Sequence, residues 1–243
     1  MERKTAVITG ASRGIGYAAA IKLASMGYDI AASCIKNTHL LDTLRKEIQQ
    51  LNVNCTIYTG DMGDYKDAAI FFNLIQENHG RADVLVNNAG ISYIGLLQDM
   101  SPDEWHHIMH TNLDSVFNCC KLVIPVMLKA KSGRIINISS VWGCTGASTE
   151  AAYSATKGGI NAFTMALAKE LAPSNIQVNA IACGIIDTSM NSFLSQEELE
   201  TIKEEIPACR LGTPEDAASL ICQLAESTSY LTGQVIKLDG GWT

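Results

Sequence analysis

Residues 5–16 read TAVITGASRGIG, and they run on into YAAAIKLASMG at 17–27. A compact apolar run, Thr5 to Thr9, stops at Gly10; a short polar loop follows, and then small and apolar residues as in a helix. Gly10, Gly14 and Gly16 lie between that strand and that helix with the spacing G-x-x-x-G-x-G. Such a loop lets main chain approach a pyrophosphate. The helix behind it offers unpaired N–H groups and the positive end of its dipole. The spacing is not the G-x-G-x-x-G of the dinucleotide fingerprint, so the loop alone does not name its ligand.

The same rhythm continues outward. Tyr28 to Ser33 is a second apolar run, followed by an amphipathic helix over Leu40 to Leu51. Val53 to Tyr58 reads as a third strand ending in TGDMGD, which delivers Asp61 and Met62 to the ligand side of a sheet. A helix over Asp64 to Asn78 leads to a fourth, buried strand, Asp83 to Val86, and then to NNAG at 87–90. Strands alternating with helices predict a parallel sheet with right-handed crossovers and ligands at the carboxyl ends of the strands. Ser101-Pro-Asp-Glu opens a helix that should run to about Leu128, with serine as cap and acids in the first turn. Asn112 falls inside it, where an asparagine competes with the helix's own hydrogen bonds; it is either exposed or has a specific contact. His106 and His110 share a helix face, but no further ligand cluster accompanies them, so no metal is expected.

Downstream, the strand Ile135 to Ile138 ends at Ser139 and Ser140. The helix Ala151 to Ala172, closed by Pro173, carries Tyr153 and Lys157 one turn apart on one face. An ammonium beside a phenol favours the phenolate. This predicts a tyrosine whose pKa falls below its usual ~10 and which trades protons at lower pH. A serine hydroxyl at the strand end would hold the carbonyl or alcohol oxygen that the tyrosine protonates. Alone, Tyr-x-x-x-Lys is a weak signal; its weight comes from the rest of the chain. Ile176 to Ala182 is a sixth strand, and Pro214 to Glu226 and Gln234 to Leu238 are a last helix and strand. Residues 185–210 are too long for a tight connection, and such insertions at a strand's carboxyl end form lids and substrate pockets.

Composition bounds the reading. The chain has 243 residues, 47% hydrophobic and 18% charged, which fits one large α/β domain with ample core and argues against disorder. A net charge of −7 gives no footprint for nucleic acid or anionic membrane. No run is long enough for a membrane span or signal region, and eight cysteines without a C-x-x-C read as reduced thiols. A cytoplasmic protein of one domain, 1–243, is the expectation.

In this order TGASRGIG (9–16), Asp61, NNAG (87–90), Asn112, Ser140 and YSATK (153–157) resemble the short-chain dehydrogenase/reductase family over essentially the whole length. Within it the chain is most similar to the bacterial 3-oxoacyl-carrier-protein reductases. The resemblance implies a Rossmann-type, doubly wound sheet of seven parallel strands with helices on both faces. It implies Tyr153 as general acid in reduction, Ser140 holding the substrate oxygen, Lys157 on the nicotinamide ribose and Asn112 holding the water of a proton relay. It assigns cofactor contacts to Gly10, Ser12, Arg13, Gly14, Ile15, Gly16, Ser33, Lys36, Asp61, Met62, Asn88, Ala89, Gly90, Ile186 and Thr188, besides Tyr153 and Lys157. It also implies a homotetramer joined through the helices at 101–128 and 151–172.

Three departures qualify this. Cys183-Gly184 replaces a frequent Pro-Gly pair. Ser174 stands where the carrier-protein reductases commonly place an arginine, with Lys129, Lys131 and Arg134 left nearby. The second strand ends in AASCIKN, without the acid that grips a ribose 2′-hydroxyl in NAD enzymes; Cys34 is near that position, and Arg13, Ser33 and Lys36 suit a 2′-phosphate. The leading expectation is therefore an NADP(H)-dependent ketone reductase, with a thioester of acyl carrier protein as first substrate. A dehydrogenase of a hydroxysteroid, sugar or polyol is the alternative, and a nucleotide sensor without turnover has no need of Tyr153.

Overall fold

The structure is a computed structural model and describes residues 3–243. The first half alternates β1 (Thr5–Ile8), α1 (Gly14–Ser25), β2 (Asp29–Cys34), α2 (Thr38–Gln50), β3 (Cys55–Thr59), α3 (Tyr65–His79) and β4 (Val84–Asn87). After it come α4 (Pro102–Met109), α5 (Ser115–Ala130), β5 (Gly133–Ser140), the short α6 (Trp142–Thr145), α7 (Ala151–Leu171) and β6 (Ile176–Cys183). Helices α8 (Gln196–Glu205) and α9 (Pro214–Ala225) and strand β7 (Val235–Leu238) complete it. All seven strands pair in parallel, in the order 3-2-1-4-5-6-7. The order reverses direction between β1 and β4, and the crevice that this leaves at the strands' carboxyl ends is where such sheets bind ligands.

Strand side chains alternate between two cores. Ala6, Ile8, Ile30, Val84, Val86, Ile136 and Ile181 pack with α1, α2 and α9. Val7, Ala31, Leu85, Ile135 and Val178 pack with α3, α5 and α7. A sheet buried on both faces has no polar side, which is why its strands read as short unbroken apolar runs.

The helix expected from 101 to about 128 has the right extent and the wrong winding. Ser101 caps it with a full capping box to Glu104, but residues His110–Asp114 form a π turn between α4 and α5. The cause is Asn112, which is fully buried and reaches sideways out of the helix. Its Oδ1 accepts the Ile91 N–H at 2.8 Å, and its Nδ2 donates to the Ile91 carbonyl and to Thr156 Oγ1. One widened turn lets those bonds form. The segment 185–210 also gains structure: a short 3-10 turn at Ser189–Asn191, then α8 capped by Ser195.

Candidate active site

The glycine loop is pressed against the turn after β4. Gly10 has φ +66°, and a Cβ there would come 2.9 Å from the Ala89 Cα. A Cβ on Gly16 would lie 2.5 Å from Asn88 Nδ2 and 2.6 Å from the Gly10 carbonyl. Asn88 fastens the contact by donating to the carbonyls of Thr9 and Gly10, and the Asn88 and Ala89 N–H groups both donate to Thr9 Oγ1. Thr9 was not singled out from sequence; a hydroxyl as last residue of a buried apolar run was the available signal. The side chain of Arg13, at the entry of α1, makes no capping bond, so the helix's first N–H groups stay open toward the crevice. On the far side, Thr188 closes over Gly14: a Cβ there would be 3.3 Å from Thr188 Cγ2. Ile186 beside it is buried and pairs with Gly212.

At the end of β2, Ser33 lies inside the strand, 1% exposed, with its hydroxyl unpartnered among the described residues. Cys34 beside it is buried too, with the N–H groups of Lys36 and Asn37 and the hydroxyls of Ser12 and Thr59 around its sulfur. Arg13 and Lys36 are exposed on either side. Asp61 is held rather than free: its Oδ1 accepts the Gly63 N–H and its Oδ2 pairs with His110 Nε2 at 3.2 Å. His110 is the second member of the expected helix-face pair, turned toward Asp61 from the π turn. The Met62 side chain is buried, and its carbonyl accepts from Asn118.

The proton-transfer group assembles where β5 meets α7. Ser139 and Ser140 diverge: Ser139 donates to the Lys157 carbonyl, whereas Ser140 accepts the Trp142 N–H and hydrogen-bonds Tyr153. Lys157 is buried, with Nζ 5.6 Å from the Tyr153 ring centre and donating to the Ile138 carbonyl at 2.8 Å. Asn112 and Gly90 close the floor; a Cβ on Gly90 would sit 3.3 Å from Asn112 Oδ1 and 3.6 Å from Lys157 Nζ.

The titration runs opposite to the sequence expectation. Burial pushes the Tyr153 phenol well above its ordinary 10, and the bond from Ser140 only partly opposes it. Burial also holds the Lys157 ammonium down at about 8. Desolvation, which the spacing of the pair does not show, is the largest cause at both groups. The tyrosine is therefore kept protonated. The Asn112 amide is committed to Ile91 and Thr156, which fixes the residue beneath Gly90.

Sequence reasoning missed a second group. The Trp142 side chain hydrogen-bonds the Glu150 carboxyl, and its ring lies 5.1 Å from that of Trp242, tilted by 59°. Nothing in the spacing of residues 142, 150 and 242 signals that they meet. The basic trio near Ser174 is reduced: Arg134 is tied to Gln177 and to the Ser227 carbonyl, leaving Lys129 and Lys131 exposed. Among the described residues, no helix is long and apolar enough to cross a membrane.

Comparison with known proteins agrees with this arrangement. The family model for short chain dehydrogenases matches residues 4–199. A 3-oxoacyl-(acyl-carrier-protein) reductase of Thermotoga maritima is 40% identical over 242 residues, covering 99% of this chain and 98% of its own. The enzymes of that name from Staphylococcus aureus and Chlamydia trachomatis are each 39% identical, covering 98% of this chain and 97% and 96% of theirs.

Proposed function

The chain belongs to the short-chain dehydrogenase family, oxidoreductases acting between carbonyl and alcohol groups, and from that premise we propose that it is an NADP(H)-dependent reductase of 3-oxoacyl thioesters. The observation that carries the reading is Tyr153 hydrogen-bonded to Ser140 at the end of β5, with Lys157 Nζ 5.6 Å from its ring. When bound, the nicotinamide cofactor supplies the hydride for the carbonyl carbon. Ser140 orients the substrate oxygen, and Tyr153 gives its hydroxyl proton to that oxygen as negative charge develops there. Lys157 contributes positive charge beside the phenol and donors toward the ribose. Asn112 braces the 90–91 turn against α7, so we assign it a positioning role.

The residues present fit a dinucleotide. The close approach of Gly10 and Gly16 to Asn88 and Ala89 leaves room for diphosphate over uncapped N–H groups. Gly14, Ile15, Asn88, Ala89 and Gly90 would line its path, with Asp61 and Met62 toward the base and Ile186 and Thr188 over the nicotinamide half. Exposed Arg13 and Lys36 near the end of β2, with no carboxylate at that strand end, favour a 2′-phosphate over a bare ribose. We assign 185–210 as the substrate lid of a single 1–243 domain, its Met190 and Phe193 offering exposed apolar surface to an acyl chain. The relatives' names point to acyl carrier protein as a partner, docked with help from Lys129 and Lys131. Exposed Phe117, Leu128 and Met165 on α5 and α7 suit a homotetramer joined there.

The test is NADPH oxidation with a 3-oxoacyl thioester. Wild type should turn over, and Tyr153→Phe should lose roughly 10²–10⁴ in kcat while keeping its fold and cofactor binding. A phenylalanine variant with near-wild-type kcat would overturn the assignment.

A further inference from the structure

Glu150 is half-buried at the N-cap of α7, immediately before the helix and three residues ahead of Tyr153. The Trp142 side chain hydrogen-bonds it, and the Trp242 ring packs on that of Trp142. The Trp142 main-chain N–H donates to Ser140 Oγ, and Ser140 hydrogen-bonds Tyr153, so the residue that meets Glu150 also anchors the serine of the site. No lysine, arginine or histidine among the described residues forms an ion pair with Glu150. Burial raises its pKa, with only the Trp142 bond opposing, and its charge is felt at Tyr153. The nearest buried cation, Lys157, spends its ammonium on the Ile138 carbonyl.

We propose that Glu150 is a specificity-determining residue that filters substrates by charge: the site admits ketones that are uncharged around the carbonyl, such as thioesters and esters, and rejects 3-oxo carboxylate anions. The proposal rests on the reading of Ser140 and Tyr153 as the reduction site. A thioester and its hydrolysed acid share the same ketone and differ by one charge a few atoms away. Apolar walls alone discriminate poorly between such neighbours, whereas an unpaired carboxylate in a low-dielectric setting repels the anion and leaves the neutral ester alone. The practical consequence is that hydrolysed substrate would neither be consumed nor compete.

The experiment compares methyl acetoacetate with acetoacetate anion as substrates, using NADPH and the full-length protein. Wild type should favour the ester in kcat/KM by about tenfold or more, the scale of one unscreened like-charge contact. Glu150→Gln keeps an acceptor for Trp142 and should raise the anion-to-ester ratio at least about tenfold; Glu150→Ala must move the ratio the same way. An unchanged ratio in both variants, or a wild type that uses both substrates equally, overturns the filter. A wild type that reduces no ketone refutes the reductase reading instead. The filter is then judged by quenching of tryptophan emission: ester binding at least about tenfold tighter than anion binding supports it, and equal binding, or none, overturns it.

Discussion

A phenol next to an ammonium can lose its proton to the pair or keep it because neither group sees water, and burial decides for the second at Tyr153 and Lys157. The sequence made the pair, Ser140 and the glycine loop legible because each is a short-range spacing. It could not show the direction of titration, since desolvation depends on what the rest of the chain packs around the pair. The same burial makes a stability prediction. Below pH about 8, Lys157 is charged in both states and folding must bury that charge. Between about 8 and its ordinary 10.5, the unfolded chain binds more protons than the folded one, so stability rises with pH. Tyr153 opposes this only above its ordinary 10. Denaturant unfolding should show wild type gaining on Lys157→Met by up to about 1 kcal/mol per pH unit from about pH 8 to about 9.5. Parallel pH curves for the two proteins would contradict the buried, depressed ammonium. At the other end of the crevice, Arg13→Ala or Lys36→Ala should each lower the NADPH-over-NADH ratio of kcat/KM by about tenfold, one charge-assisted bond's worth. A wild type indifferent between the cofactors would remove the 2′-phosphate reading.

Two helices begin with the same device and should answer its loss differently. Ser101 and Ser195 each complete a capping box, with Glu104 and Glu198. Helix α4 buries Ile108 and packs on α7, so it melts with the whole; α8 has no buried residue. Ser101→Ala should therefore lower global stability by about 1 kcal/mol. Ser195→Ala should leave global unfolding nearly unchanged, while α8 amides exchange faster and KM rises, because local opening there is uncoupled from the core. Equal losses of global stability would show α8 to be part of the cooperative unit. The Ser101 cap was readable in the sequence as Ser-Pro-Asp-Glu before a periodic run; the Ser195 cap lies in the segment read only as a lid. The π turn was not, because it is set by what Asn112 reaches, the main chain of Ile91, twenty-one residues earlier.

At the scale of the molecule, the alternation of apolar runs and amphipathic stretches was enough for a parallel sheet with helices on both sides. Contacts between distant segments were beyond it: Trp142 with Glu150 and Trp242, His110 with Asp61, and the burial of Ser33 at the strand end. Those depend on which loops meet at the sheet's carboxyl edge, and no local pattern encodes that. One result of the two-core architecture concerns time rather than energy. Cys34, Cys183 and Cys222 lie in the core under α1, α2 and α9, and Cys119 and Cys120 in the core under α3, α5 and α7. Cys144 and Cys209 are exposed. Burial keeps the inner thiols protonated, with Cys120 and Cys183 pushed up to about 12, so they react only when the chain around them opens. The molecule thus carries two internal clocks. In native buffer a thiol reagent should label Cys144 and Cys209 at once, and the two buried sets afterwards, each at the opening rate of its own layer. One shared slow rate would mean that the layers open as a unit; two would mean that the sheet is a partition between independently breathing halves.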